Sequence, residues 1–441
     1  MNIALETELA KLPIDALKET IRTYIRPLAE PLPDKRLERG VEDMILGILG
    51  GETPVVTAMA RQNNKSEGES WATAKRIYRF LDNRRVPTSQ LYEGLYQAGC
   101  QAVAREKPAY LVTAIDPVNF EKPYAYSSEG VSTVHKATPP DLAGHARLAR
   151  GYPAITATIV NTQVPVSSYA NWFSYQLDFR SQNFEIEQAL VTTCRLYPGY
   201  RVRFVGDSGL DDQKIFAQVG RLGQAFVLRV SHTERIVEVY NERLDRWERE
   251  VLQDLIESVL YVATFQVLYT HAGRTRLDQV QLGWFAIRLP EQGEQPLWVI
   301  VVENPHFDQP VVLITNVPVD SLACAQQVYQ DWRLRGRIEH GYRFDQEQGL
   351  DVEDMRVHTL ERMRRLFAMV LLAAQLVFVI AVHWPPQAVL WLRQLGGKLG
   401  LSSDRDGPYW LLQGISAVIV TAMTLSFVFL HPFPFGENTY G

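Results

Sequence analysis

Cysteine is scarce in this sequence. Its 441 residues contain three, Cys100, Cys194 and Cys324, too far apart for a metal-ligand spacing or a disulfide framework. That excludes a small disulfide-stapled fold and a structural zinc module, and it suits a reducing compartment, here a cytoplasmic one. The first residues, MNIALETELAKLP, lack a basic start followed by an apolar run, so no secretory signal is expected there. Positive charge is not in excess either, since 45 Lys and Arg stand against 50 Asp and Glu, a net −5. A uniformly basic nucleic-acid coat is thereby excluded, and any phosphate contact has to come from local clusters. What the chain does have is 46% apolar and 22% charged residues, the composition of a globular protein with a sizeable core. Its length allows one very large domain or two to three ordinary ones.

Residues 1 to about 106 read as helical. Apolar residues recur at helical spacing in ELAKLPIDALKETIRTYI and LERGVEDMILGIL, with EPLPDK as a break between them. In SEGESWATAKRIYRFLDNRR, Trp71, Ala74, Tyr78 and Leu81 define an expected buried stripe, which leaves Lys75, Arg76 and Arg79 on another face. Such a basic helix suits a DNA groove, and equally a plain solvated surface.

At residue 109 the pattern changes. AYLVTAIDPVNF is a short run rich in β-branched residues and reads as a buried strand closed by Asp116, with an Asp-Pro turn as the alternative. A second strand, YRVRFVGDSG, hands over Asp207, for which a helix N-cap is the alternative role, one that Asp211 can take instead. Two strands that each deliver an Asp at the carboxyl end define an α/β core with a ligand site there. Residues 232 to 325 then read as strands, including ERIVEVYN, DQVQLGWFAIRL, PLWVIVVEN and PVVLITNV, and suggest a β-rich insertion.

The stretch WRLRGRIEHGYRFDQ, Trp332 to Gln346, reads as one helix. On it Arg335, Glu339 and Tyr342 or Arg343 fall three to four residues apart and share a face. An acid among arginines ordinarily makes ion pairs. Together with Asp116 and Asp207, however, Glu339 completes a set of three acids able to hold a pair of divalent metals.

Strand-Asp, strand-Asp, β insertion and a basic helix with Glu, in that order, resemble the DDE transposases of bacterial insertion sequences, which carry an RNase H-like catalytic core. The long interval between Asp207 and Glu339 resembles the cut-and-paste subgroup with a β-strand insertion before the Glu. That subgroup has a Tyr-x2-Arg-x3-Glu-x6-Lys pattern; here Arg335 and Glu339 match, whereas Trp332 stands for Tyr and Gln346 for Lys. The resemblance implies that Asp116, Asp207 and Glu339 hold Mg²⁺, with Mn²⁺ able to substitute. It also implies that Arg335 clamps a phosphate, with Arg333, Arg337, Arg343, Trp332 and Gln346 along the DNA strand. It further implies double-stranded DNA partners (element ends and target), a homodimeric synapse and a place beside the bacterial nucleoid.

The expected layout is a helical DNA-binding domain at 1–106, an RNase H-like core in two parts (107–231 and 326–382) around the β-rich insertion (232–325), and a C-terminal helical region at 383–441. The function expected is Mg²⁺-dependent cleavage and transfer of DNA strands. A transposase that binds DNA but no longer cuts it is the alternative, raised by Trp332 and Gln346. Two apolar segments, 366–382 and 410–430, approach bilayer length; they are read as buried core helices, and no membrane partner is expected.

Overall fold

The computed structural model describes residues 14–62, 69–136, 147–271, 274–304, 308–337, 349–350, 352–397 and 408–430. Strand β1 (Leu111–Glu121) lies at the middle of the fold. On one side it pairs antiparallel with β3 (Leu148–Ile159), whose far edge carries both β2 (Ser132–His135) and β4 (Val166–Trp172). On the other side β1 runs parallel to β5 (Val202–Gly206), which in turn runs parallel to β6 (Ala225–Arg229). Helix α6 (Gln182–Leu196) precedes β5, and α7 (Gln213–Arg221) connects β5 to β6.

The expected β insertion proves continuous with this sheet. β12 (Val311–Thr315) pairs antiparallel with β6, followed outward by β11 (Leu297–Glu303), β10 (Arg274–Ile287) and β9 (Ala263–His271), giving ten strands in one mixed sheet. Without β12, β6 would present a row of unpaired backbone groups along an apolar strand, and the added strands remove that edge. Among the described residues only the hairpin β7–β8 (Ile236–Asn241 and Arg246–Val251) forms a separate two-stranded sheet, bridged to the rest between Glu238 and Arg288. VLQDLIE, within the run read as strands, yields the short helix α8 (Leu252–Glu257).

Among the described residues five helices precede the sheet: α1 (Ile14–Ala29), α2 (Lys35–Gly51), α3 (Val56–Arg61), α4 (Glu69–Leu81) and α5 (Thr88–Glu106). They share one apolar core with one face of the sheet and with α10 (Leu360–His383). α10 is long and apolar enough to cross a membrane, and 72% of its most apolar window is buried inside the fold. Two of its polar interruptions find partners there, although the Gln375 amide nitrogen is buried without one. Gln375 accepts from the Tyr24 hydroxyl at 2.9 Å, and Arg365 donates to the carbonyls of Leu81 and Asn83, each at 2.9 Å. The C-terminal helices α11 (Pro386–Leu395) and α12 (Tyr409–Leu430) cross so closely that a Cβ on Gly414 would lie 1.8 Å from the Leu392 carbonyl oxygen, so only glycine fits. α12 is fixed to α2 through Ser416, which donates to the Gly50 carbonyl at 2.9 Å.

One expected stripe is corrected. On α4 the buried residues are Thr73, Ala74, Ile77, Phe80 and Leu81, whereas Trp71 is 58% exposed. Ile77 and Phe80 give the face a turn of about 100° per residue from Ala74, and Trp71 lies one step outside that sector.

Candidate active site at the Asp116 and Asp207 strand ends

Pairing of β1 with β5 ends at Ala114 opposite Val205, and the two aspartates follow two residues later on each strand. Neighbouring strands lie about 4.8 Å apart, so the register brings Asp116 and Asp207 side by side. Val112, Ala114 and Val205 belong to the apolar cluster under helix α9 (Leu322–Arg333), together with Val328 and Tyr329 of that helix. Strand alternation therefore turns both carboxylates toward the α9 face. Both residues are partly exposed, open enough for solvent or a ligand to reach them.

Asp116 does not close its strand as the sequence suggests. β1 continues to Glu121, and Asp116 remains paired with Thr156 of β3. Nor is there an Asp-Pro turn, since Pro117 pairs with Ile155 within the strand. The Leu111 N–H donates toward the β5 side, to the Arg201 carbonyl. By alternation the position of the missing N–H at Pro117 faces the same side, beyond the point where β5 has ended, so no ladder bond is lost. Thus Asp116 lies at the end of the parallel pairing while still inside its antiparallel pair.

Asp207 caps its own 3-10 turn, accepting from the Ser208 N–H at 2.8 Å. The cap of α7 is Asp212, which accepts from Lys214 N–H at 2.7 Å, rather than Asp211. Asp211 is buried and braces the turn from below: it pairs with the Arg235 guanidinium at 2.6 Å and accepts from the Ser231 N–H at 2.7 Å. Among three acids in GDSGLDD, only tertiary contacts separate this brace from the cap.

The helix expected over 332–346 is interrupted. α9 ends at Arg333, Leu334 and Arg335 form a turn, and helical backbone resumes at Gly336. Across this turn Trp332 and Arg335 both reach the Asp207 loop. The Trp332 indole N–H donates to the Gly206 carbonyl at 3.0 Å, and the Arg335 guanidinium lies 3.9 Å from the Asp207 carboxylate and 5.8 Å from the Trp332 ring. The structure therefore brings Asp207, Trp332 and Arg335 together, with Asp116 on the neighbouring strand.

Two other expected contacts look elsewhere. Arg337 donates to the carbonyls of Val160, Thr162 (2.7 Å) and Gln163 (3.1 Å), and burial lowers the pKa of its guanidinium. Arg333 donates to the Leu268 carbonyl on β9 and lies against the Tyr329 ring. Both arginines tie the end of α9 to the sheet. Glu339, Arg343 and Gln346 lie outside the described residues. Lys75, Arg76 and Arg79 are exposed on α4, with the Lys75 ammonium 5.4 Å from the Trp71 ring centre.

A network unforeseen in the sequence sets the position of α9. Asp331, beside Trp332, is buried and accepts from the Tyr110 hydroxyl (3.0 and 3.1 Å), from Gln327 (2.9 Å) and from the Arg203 guanidinium. Arg203 also lies 4.9 Å from the Tyr110 ring centre. Burial, followed by the Asp331 charge, pushes the Tyr110 hydroxyl up. Asp331 thus anchors α9 to β1 and β5, the two strands that carry the aspartates.

Among the described residues no three His, Cys, Asp or Glu side chains form a metal-binding group. Two carboxylates on one open face still fit Mg²⁺, which takes one or two carboxylates together with water and substrate phosphate.

No protein-family model matches the chain, and no curated protein is similar to it in sequence. Among solved structures the chain is similar to a piggyBac transposase in a synaptic complex with hairpin DNA, at 9% identity and a TM-score of 0.42. The alignment covers 90% of this chain and 74% of that one.

Proposed function

We propose that the chain is a DNA transposase that cuts and joins strands at Asp116 and Asp207, with Glu339 as the third acid. The observation that carries this reading is the in-register exit of two aspartates from neighbouring parallel strands, with Trp332 and Arg335 docked on the Asp207 loop. The strand order β4-β3-β1-β5-β6, antiparallel up to β1 and parallel beyond it, supports an RNase H-like core. Asp116, Asp207 and Glu339 would hold Mg²⁺, or Mn²⁺ in its place. When bound, such ions make water or a 3′-hydroxyl nucleophilic and stabilise the leaving oxygen of an in-line displacement. Arg335 offers a planar, always charged fork to a phosphate of the cut strand. The brace of Asp211 and Arg235 holds the Asp207 turn, and the Asp331 network holds α9, so Arg335 is positioned before substrate arrives. The exposed Lys75, Arg76 and Arg79 suit duplex element ends, and one protomer of a homodimer would grip each end.

A second reading has a specific basis. Gln346 replaces a Lys of the resembled pattern, and the Trp332 indole is committed to the Gly206 carbonyl, which favours a protein that binds DNA ends without cutting them. Cleavage of a labelled fragment carrying the element's own ends, with Mg²⁺ or EDTA, separates the two. Metal-dependent nicking that disappears in Asp207→Ala while DNA binding persists supports the enzyme. Binding without cleavage in Mg²⁺ and Mn²⁺ supports the second reading.

A further inference from the structure

Beyond Asp116, β1 runs on to Glu121 and the chain then turns back at residues 122–126. The turn is built on a buried lysine. The Lys122 ammonium donates to the carbonyls of Val352 (3.0 Å) and Met355 (3.3 Å) and lies 5.7 Å from the Trp172 ring centre. Its backbone N–H donates to the Arg150 carbonyl at 2.7 Å, and the turn is closed by Ala125 N–H on the Lys122 carbonyl at 3.0 Å. This anchored turn holds two tyrosines in solvent, Tyr124 at 89% and Tyr126 at 74% exposure. The Arg150 guanidinium lies 4.1 Å from the Tyr126 ring centre and covers one face of the ring. The β2–β3 ribbon beneath exposes Arg147 and Arg150, on β3 or its approach, and His135 on β2. The acids close by are engaged: Glu121 pairs with Lys136 at 3.2 Å, and the Glu129 carboxylate accepts from the Leu360 N–H at 3.0 Å.

A solvated, rigidly held aromatic pair beside exposed arginines has no use in the core. It matches the requirements of an unpaired nucleic-acid strand, whose bases stack on aromatic faces and whose phosphates meet arginine. A duplex keeps its base faces stacked inside and cannot use the tyrosines in this way. From Thr156, opposite Asp116, to Arg150 the strand covers about 20 Å at roughly 3.3 Å per residue. We infer that Tyr124, Tyr126 and Arg150 form a stacking site for unpaired nucleotides of the DNA strand that leads away from the Asp116–Asp207 site. Tyr126 offers its free face to a base, with Arg150 behind it, while Arg147 meets the backbone. This inference rests on the reading of the chain as a DNA-cutting protein.

The test is fluorescence anisotropy on the full chain, with a labelled single-stranded 15-mer of thymidine and a labelled 15-base-pair duplex as probes. Tyr126→Ala should weaken single-strand binding about 5- to 140-fold, the range for loss of one base–aromatic stack, and change duplex binding little. Tyr126→Phe should retain the wild-type affinity, because the ring and not the hydroxyl is used. Arg150→Ala should lower the slope of log affinity against log salt by about 0.7 for the single strand. Tyr124→Ala, at a nearly fully exposed position, gives a second variant free of folding effects and should also weaken the single strand selectively. Unchanged single-strand affinity in both alanine variants overturns the stacking site, as does an equal loss on both probes. If the wild-type chain binds neither probe, it is the DNA-cutting reading that fails, and the stacking site fails with it.

Discussion

Replacing Asp331 by Asn should destabilise the fold far more than a typical surface change. The carboxylate is 3% exposed and the Arg203 side chain 16%, so the pair is largely out of water. Asn keeps the size and one acceptor for the Tyr110 hydroxyl, which confines the loss mainly to a stranded guanidinium. Breaking a buried pair from one side costs about 3–5 kcal/mol, and the partial exposure of Arg203 places this case near 3. Removing both charges with Arg203→Met and Asp331→Leu should return stability to within about 1 kcal/mol of the wild type, because the desolvation penalty disappears along with the attraction. Urea unfolding followed by tryptophan fluorescence measures both variants. Should Asp331→Asn cost less than about 1 kcal/mol, the pair is hydrated in solution and does not anchor α9. A double variant as unstable as the single one would instead place the energy in the packing of α9, and the stranded-charge argument would be wrong.

Two further outcomes follow from the same contacts. Arg337→Ala should cost about 2 kcal/mol in thermal unfolding by leaving three carbonyls at residues 160–163 without their donor, and Arg337→Lys should recover only part, since an ammonium cannot span the three as a fork does. The Glu93 carboxyl is held below its ordinary range by its hydrogen bond from Arg195, which ties α5 to α6. A depressed acid contributes stability above its unfolded pKa, about 4.3, and that stability is lost as pH falls through the lower folded value. Stability-versus-pH curves should therefore be shallower on the acid limb for Glu93→Gln. An unchanged limb would show that this exposed pair contributes nothing.

Much of the candidate site was legible because its signals are local. Asp116 and Asp207 each follow a β-branched apolar run, and strand periodicity alone puts them beyond such runs. The Trp332 and Arg335 spacing was likewise visible, as was a long apolar helix over 366–382. By contrast, the end of β1 was not legible. Whether a strand stops at an Asp-Pro pair depends on which neighbour still pairs there, and β3 continues where β5 does not. The helix break at Leu334 and Arg335, the roles of Asp211 and Asp212 and the outward side of Trp71 likewise turn on contacts with distant segments.

The sequence by itself determined most element types, the alternation of faces and the chemistry available: two strand-borne acids, a basic stretch, few cysteines. Tertiary structure decided the partners. It joined the strands of 263–315 to the central sheet, because β6 needed a neighbour for its backbone groups. It also divided the arginines of one short stretch, turning Arg335 to an acid and Arg337 to backbone carbonyls. Hydrogen-bonding groups must be satisfied wherever they are buried, and which group lies within reach is settled only when segments far apart in the chain have packed together.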